Sequence, residues 1–283
     1  MNMLFGQDSM KALCYVNGQI QSASDASIAV TDLGLQRGYG VFDFVRTWNG
    51  KLFHLKDHLA RFRRSASELR LKLPISDQEI TGIAEQLTGE SEFEIPSVRL
   101  VLTGGCSYSS PALEHPNFIM IAEELFTYPG NVYARGAKLI TVQYQRELPH
   151  VKSLNYLNAI RLEPLKREKR AFDILYHSYN GVTECPRSNF FIFRGDTLIT
   201  PQDDVLRGIT RKLVLRLVRD QFPIEERAIS LGELEAADEA FVTSTSKCVI
   251  PIVRIDDFDV GNGSVGTRTE TITRLFADYT DGY

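Results

Sequence analysis

The sequence predicts an α+β chain built as two lobes. Two observations carry this. Turn-punctuated strands and amphipathic helices are mixed along the chain, and a Tyr-Pro-Gly-Asn break at 128–131 separates two segments that each hold both kinds of element. No internal repeat or low-complexity tract intervenes, and 283 residues suffice for one large or two moderate cores. The expected division is an N-terminal lobe over 1–128, a linker over 129–135 and a C-terminal lobe over 136–283.

Residues 12–53 read as strands and hairpins. Asn17-Gly18 and Asn49-Gly50 each sit between apolar segments, the strongest short-range hairpin signal. A helix follows, because Leu55, Leu59, Phe62, Ala66 and Leu69 recur at intervals of three or four. A second helix is expected over 77–87, with Ser76 as its N-cap. Strands at 98–103 and 117–122 flank a Gly/Ser/Pro-rich loop over 104–116. Beyond the break, strands are expected at 138–142, 173–179, 182–193, 239–244 and 248–253. Helices are expected at 156–170, 209–220 and 268–278.

Composition narrows the function. Hydrophobic residues at 43%, charged residues at 24% and a net charge of −4 describe an ordinary globular chain. There is no basic tract for nucleic acid and no apolar run long enough to cross a bilayer. The first ten residues lack a charged segment followed by an apolar one, so no signal peptide is expected. Cys14, Cys106, Cys185 and Cys248 lie far apart and form no CxxC pair. No metal site is therefore expected, and a reducing, cytoplasmic setting fits.

The chemistry is concentrated in four places. Lys152, in Val-Lys-Ser-Leu-Asn at 151–155, precedes an expected helix. Lysines are usually solvated, but a nucleophilic one must be partly desolvated, and Val151 and Leu154 supply apolar neighbours. Glu184 interrupts an apolar strand; it is either a solvent-facing glutamate or a carboxylate against a protonated ring nitrogen. Leu206-Arg-Gly-Ile-Thr210 opens a helix whose first N–H groups could receive a phosphate, unless Thr210 is simply the cap. Thr243-Ser-Thr245 ends a strand with three hydroxyls. One amine, one carboxylate and two hydroxyl-bearing turns are the parts that hold pyridoxal 5'-phosphate. Arg61, at the margin of the 54–70 apolar stripe, could reach an anion.

With these residues in order, the chain resembles the fold-type IV pyridoxal-phosphate enzymes, the class IV aminotransferases, from about Val16 to the last helix. The blocks are Val-Asn-Gly at 16–18, the segment from Asp32 to Asp43, and His58-Leu-Ala-Arg61. Lys152-Ser-Leu-Asn155, Val182-Thr-Glu184 with Ser188-Asn189, Gly208-Ile-Thr-Arg211 and Thr243-Ser-Thr245 complete them. The resemblance implies that Lys152 carries the cofactor and shuttles the proton, and that Glu184 partners the ring nitrogen. It implies phosphate contacts from Arg61, Gly208, Ile209, Thr210, Ser244 and Thr245, with Leu206 against the ring. It also implies a homodimer with a composite active site.

Lys-Ser-Leu-Asn looks most like the D-amino-acid transaminases, so the expected reaction moves an amino group between a D-amino acid, such as D-alanine or D-glutamate, and a 2-oxo acid such as 2-oxoglutarate. Branched-chain L-amino-acid transamination and an aminodeoxychorismate-type lyase are the alternatives. Two departures stand out. Gly104 replaces an arginine that grips the substrate carboxylate in the better-known relatives, and Phe42 replaces a tyrosine. Arg37 and Arg187 stand at unusual positions and are the expected substitute clamp, against a bland reading as surface or interface ion pairs. Arg99 reads as a structural strand residue, with a side-pocket role for acidic substrates as the alternative.

Overall fold

The computed structural model describes residues 12–106 and 115–283. Residues 1–11, read above for a leader, and much of the 104–116 loop lie outside the described residues. The chain divides into two units, one reaching Phe126 and taking in Val151–Asn155, the other comprising Thr127–His150 and Tyr156–Tyr283.

The first unit opens with β1 (Leu13–Val16), β2 (Gln19–Ser22), α1 (Leu33–Arg37), β3 (Gly40–Trp48) and β4 (Lys51–Leu52). It continues through α2 (Leu55–Glu68), α3 (Asp77–Gly89), β5 (Pro96–Thr103) and β6 (Phe118–Glu124). The strands form one antiparallel sheet in the order β2-β1-β6-β5-β3-β4. Both expected hairpins form, with positive φ at Asn17, Gly18, Asn49 and Gly50, as the favoured two-residue turn requires. Leu59, Phe62 and Ala66 of α2 pack with Val41, Val45, Leu100, Leu102 and Met120 of the sheet. Each large apolar side chain among them contributes about 1.5–3 kcal/mol on burial. Ser76 caps α3 in a reciprocal pair with Glu79, and the helix runs two residues further than the spacing predicts.

Helix α1 has no counterpart in the sequence reading. Its five residues are too few for a periodic signal. A buried carboxylate fixes it instead: Asp32 Oδ1 accepts from the Gly34 and Leu35 amides, and Oδ2 accepts from Thr103 Oγ1 and Asn117 Nδ2, each at 2.6 Å.

The second unit begins with α4 (Gly130–Arg135), so the expected linker contains a helix, and Val132 and Tyr133 pack on this unit's core. There follow β7 (Ala137–Gln143), α5 (Leu157–Arg161), α6 (Glu163–Glu168), β8 (Asp173–Ser178), β9 (Gly181–Val182), β10 (Glu184–Cys185) and β11 (Ser188–Arg194). Then come β12 (Thr197–Thr200), α7 (Ile209–Leu217), β13 (Ile224–Glu226), α8 (Leu231–Glu235), β14 (Glu239–Ser244), β15 (Cys248–Ile255), β16 (Phe258–Asp259) and α9 (Thr267–Asp281). The main sheet path is β13-β12-β11-β14-β15-β7-β8-β9, with β10 on β11 and β16 on β15.

Two expected elements are broken, each for a local reason. The single helix over 156–170 is two short ones, because Pro164 lacks an N–H and restricts Glu163 before it. The single strand over 182–193 is three. Thr183 turns both its N–H and its hydroxyl onto the Tyr176 carbonyl, and Pro186-Arg187 make a tight turn that pairs Cys185 with Ser188.

Candidate active site

In the first unit, the segment Val151–Asn155 lies along β3. The Phe42 amide donates to the Lys152 carbonyl at 2.9 Å, the Leu154 amide donates to Gly40 at 3.0 Å, and the Lys152 amide donates to Ser65 Oγ at 3.2 Å. Gly40 permits this approach, because a Cβ there would meet Leu154 Cδ1 and the Leu102 carbonyl at 2.7 Å. Lys152 is half-buried, and its Nζ stands 4.5 Å from the centre of the Phe42 ring.

Behind Phe42 lies a buried ionic cluster. Arg61 donates from Nε to Asp43 Oδ2 at 2.9 Å and from a terminal nitrogen to Oδ1 at 2.8 Å, while His58 Nδ1 is 2.7 Å from Oδ1. Burial alone would raise the Asp43 carboxyl, but Arg61 and then His58 outweigh it and hold it far below the usual carboxylate range. Burial, with smaller help from the Arg61 and Lys152 charges, pushes His58 down more than Asp43 lifts it, so the imidazole is neutral and donates to the carboxylate. A two-point grip of this kind fixes the plane of the Arg61 guanidinium.

In the second unit, Glu184 is only 4% exposed, which rules out the solvent-facing reading. Arg146 donates to its Oε1 at 2.8 Å; the Leu206 amide and Asn189 Nδ2 donate to Oε2 at 3.0 and 3.3 Å. Three donors on two oxygens favour the ionised form. Arg146 is a residue the sequence reading missed. It sits 38 positions before Glu184 in a polar stretch, with no local pattern to mark it.

Gly208 is the N-cap of α7 and offers no side chain to it, so Thr210 lies inside the first turn and is not the cap. Among the described residues nothing caps the Ile209 and Thr210 amides, which leaves the helix N-terminus open to an anion. A Cβ at Gly208 would collide with Asn189 Oδ1, so the close approach of the two needs glycine. Thr243 Oγ1 is buried and has no hydrogen-bond partner among the described residues, while Ser244 Oγ accepts from the Lys247 amide at 3.1 Å, which leaves the hydroxyl proton for donation. Thr245 is half-buried in the turn that follows. This donor set in the second unit fits a phosphate monoester joined to a ring whose nitrogen meets a carboxylate.

The two expected clamp arginines are exposed. Arg37, in the last turn of α1, donates to the Gln36 carbonyl; Arg187 stands 5.8 Å over the Tyr156 ring. Arg99 is ion-paired through two nitrogens with Glu123, as a strand residue would be. The departure at Gly104 has a steric cause, since a Cβ there would press on Tyr39 at 2.7 Å and Leu33 at 3.2 Å. Among the described residues, no cluster of His, Cys, Asp or Glu could hold a metal ion, and no helix is long and apolar enough to cross a membrane.

Residues 40–255 match the family model for amino-transferase class IV. The chain belongs to the class IV aminotransferases. The matched span includes Arg61, Lys152, Glu184, Leu206, Gly208, Ile209, Thr210, Ser244 and Thr245, whereas Arg37 precedes it. Among the family's curated members, the chain is 30% identical over 278 residues to a D-alanine aminotransferase of Listeria monocytogenes serotype 4b, covering 95% of this chain and 96% of that one. A D-alanine aminotransferase of Staphylococcus aureus (strain COL) is 29% identical over 276 residues, covering 95% and 98%. Among solved structures, the branched-chain amino acid aminotransferase of Escherichia coli superposes with a TM-score of 0.87 at 22% identity, over 94% of this chain and 93% of that one. The branched-chain aminotransferase of the archaeon Thermoproteus uzoniensis with norvaline gives 0.86 at 26% identity, over 95% of each chain. The fold is that of fold-type IV, and the chain is an aminotransferase by family.

Proposed function

We propose that the protein is a pyridoxal-phosphate-dependent transaminase that moves an amino group between a D-amino acid, of the D-alanine or D-glutamate type, and a 2-oxo acid such as 2-oxoglutarate. The observation that carries the cofactor reading is Glu184, a buried carboxylate with three donors fixed on it in a unit that also offers uncapped amides and hydroxyls. The D-amino-acid reading rests on the curated D-alanine aminotransferases, which match along nearly their whole length.

Bound pyridoxal phosphate supplies an electron-accepting ring conjugated to the substrate α-carbon. Glu184, held by Arg146, would keep the ring nitrogen protonated. Arg61, the Ile209 and Thr210 amides beside Gly208, and the Ser244 and Thr245 hydroxyls are the groups that would hold the phosphate, and Leu206 the one that would pack on the ring. Lys152 is the residue that would carry the cofactor, and its Nζ would take the proton from the substrate α-carbon and pass it on to the cofactor, the transfer that transamination requires. Arg187 and Arg37, the latter from a neighbouring copy, grip the α-carboxylate.

That copy makes the working form a homodimer. Large exposed apolar side chains support it: Val30 and Leu35 precede Arg37 in one unit, and Leu157 and Ile160 lie on α5 in the other. Sedimentation velocity checks the dimer. Four free thiols agree with a cytoplasmic setting.

The structural match to a branched-chain enzyme at 26% identity favours L-branched-chain substrates as the second reading. A single-turnover absorbance assay of the holoenzyme, without acceptor, separates the two. Conversion by D-alanine or D-glutamate alone supports the first, and conversion by L-leucine or L-valine replaces it with the second. Pyruvate release from an aminodeoxychorismate-like substrate without acceptor would replace both with a lyase.

A further inference from the structure

Lys247 is 3% exposed, although it ends a three-residue turn between β14 and β15. Ser244 pairs with Cys248 to close that hairpin, and Cys248 takes the left-handed conformation at φ 55°. The Lys247 ammonium donates to Asp173 Oδ2 at 2.5 Å and to Ser188 Oγ at 2.7 Å, and it faces the Phe172 ring at 5.2 Å. Burial would lower its pKa, but Asp173, with smaller contributions from Tyr128 and Cys185, more than offsets this and keeps the group charged. The same residue's backbone amide donates to Ser244 Oγ.

Stability alone does not account for this arrangement. A buried ion pair can often be exchanged for apolar side chains at no loss. What an apolar pair cannot do is donate to Ser188. That serine opens β11 and pairs with Cys185 across the turn that presents Arg187. Its neighbour Asn189 holds both Glu184 and the Leu206 carbonyl. One lysine therefore ties the turn carrying Ser244 and Thr245 to the hairpin carrying Glu184 and Arg187.

We propose that Lys247 is a positioning residue: through Ser188 and Ser244 it sets the spacing between the phosphate-binding turn and the Glu184 hairpin. This rests on the cofactor reading above. It concerns residues that touch neither the reacting atoms nor the substrate.

The decisive variant is Ser188→Ala, which removes the brace and leaves the Lys247–Asp173 pair intact. Ser188→Thr restores a hydroxyl, and Lys247→Met with Asp173→Asn removes the brace without stranding a charge. Two readouts are used: hydrogen exchange at 184–189 and 244–246 in the cofactor-free protein, and pyridoxal phosphate affinity by absorbance titration. The expected result for Ser188→Ala and the double variant is faster exchange in both segments. Pyridoxal phosphate should bind about tenfold more weakly, about 1.4 kcal/mol, with melting temperature little changed and affinity recovered in Ser188→Thr. Wild-type exchange and affinity in Ser188→Ala would overturn the proposal, as would a loss that Ser188→Thr fails to restore. If the wild-type protein does not bind pyridoxal phosphate, the cofactor reading fails, and the exchange data still decide whether the brace exists.

Discussion

Lys152 and Lys247 are both followed by a small residue, and taken singly each is the kind of residue that is usually solvated; only its order among the other motifs marks Lys152. Their surroundings separate them. Lys247 is enclosed and commits its ammonium to a carboxylate and a hydroxyl. Lys152 is half-buried, with its backbone pinned along β3 and its Nζ over the face of Phe42. A charge-assisted hydrogen bond contributes about 1.5–3 kcal/mol, whereas a ring face holds a cation by about 0.5–2 kcal/mol. Of these two contacts the ring face is the weaker, and giving it up costs less. The lesson is that a fixed backbone with an amine resting on a ring suits chemistry, and a fixed amine suits architecture.

The comparison breaks first at Lys152. Lys152→Ala should lower single-turnover conversion by about 10⁴-fold, the upper range for loss of a positioned proton-transfer group. The urea midpoint should hardly move, because little buried contact is lost. Lys247→Met alone should show its largest effect on stability instead. It strands the Asp173 carboxylate in the second unit and should cost about 3–5 kcal/mol in a urea titration. A large stability loss for Lys152→Ala, or none for Lys247→Met, would dissolve the distinction.

The pH dependence sharpens it, because the shifts in the two buried clusters run in opposite directions. Asp43 and His58 both have folded values below their unfolded ones. Their stabilisation is complete above the unfolded values. It is lost as pH falls, from about 6.5 for His58 and from about 4 for Asp43. Lys247 has a raised folded value, so its contribution is full below about pH 10 and is lost as pH rises through the folded value. The wild-type urea midpoint should therefore fall as the pH is lowered from about 6 to about 3. Asp43→Asn, weaker at neutral pH, should show a shallower fall. An identical acid slope in the variant would remove Asp43 from the account.

What could be read in the sequence follows the same division between local and distant causes. The turns at Asn17-Gly18 and Asn49-Gly50, the Ser76 cap and the α2 stripe depend on neighbours in sequence, and each forms as expected. The candidate residues Lys152, Glu184, Gly208 and Ser244 stand out through their order along the chain. Arg146, Lys247 and the contacts of Asp32 to Thr103 and Asn117 do not, because their partners lie tens of residues away and leave no periodic mark. The breaks at Pro164 and at Pro186-Arg187 lie between: the prolines are visible, but the apolar runs around them outweigh the signal.

Arg187 is the finest test, since it shares its hairpin with Glu184 yet is exposed to solvent. The two-residue turn at Pro186-Arg187 is braced at Ser188 by Lys247, so the backbone of Arg187 is fixed while its guanidinium rests over the Tyr156 ring at 5.8 Å. A substrate carboxylate would gain two parallel hydrogen bonds from that group. Arg187→Ile should raise the KM for D-glutamate about tenfold, close to 1.4 kcal/mol, with a smaller effect on kcat and none on pyridoxal phosphate affinity. Arg187→Lys should recover only part of the loss, because an ammonium cannot reproduce the planar two-point grip. An unchanged KM in Arg187→Ile would return Arg187 to the surface and leave Arg37 to carry the clamp.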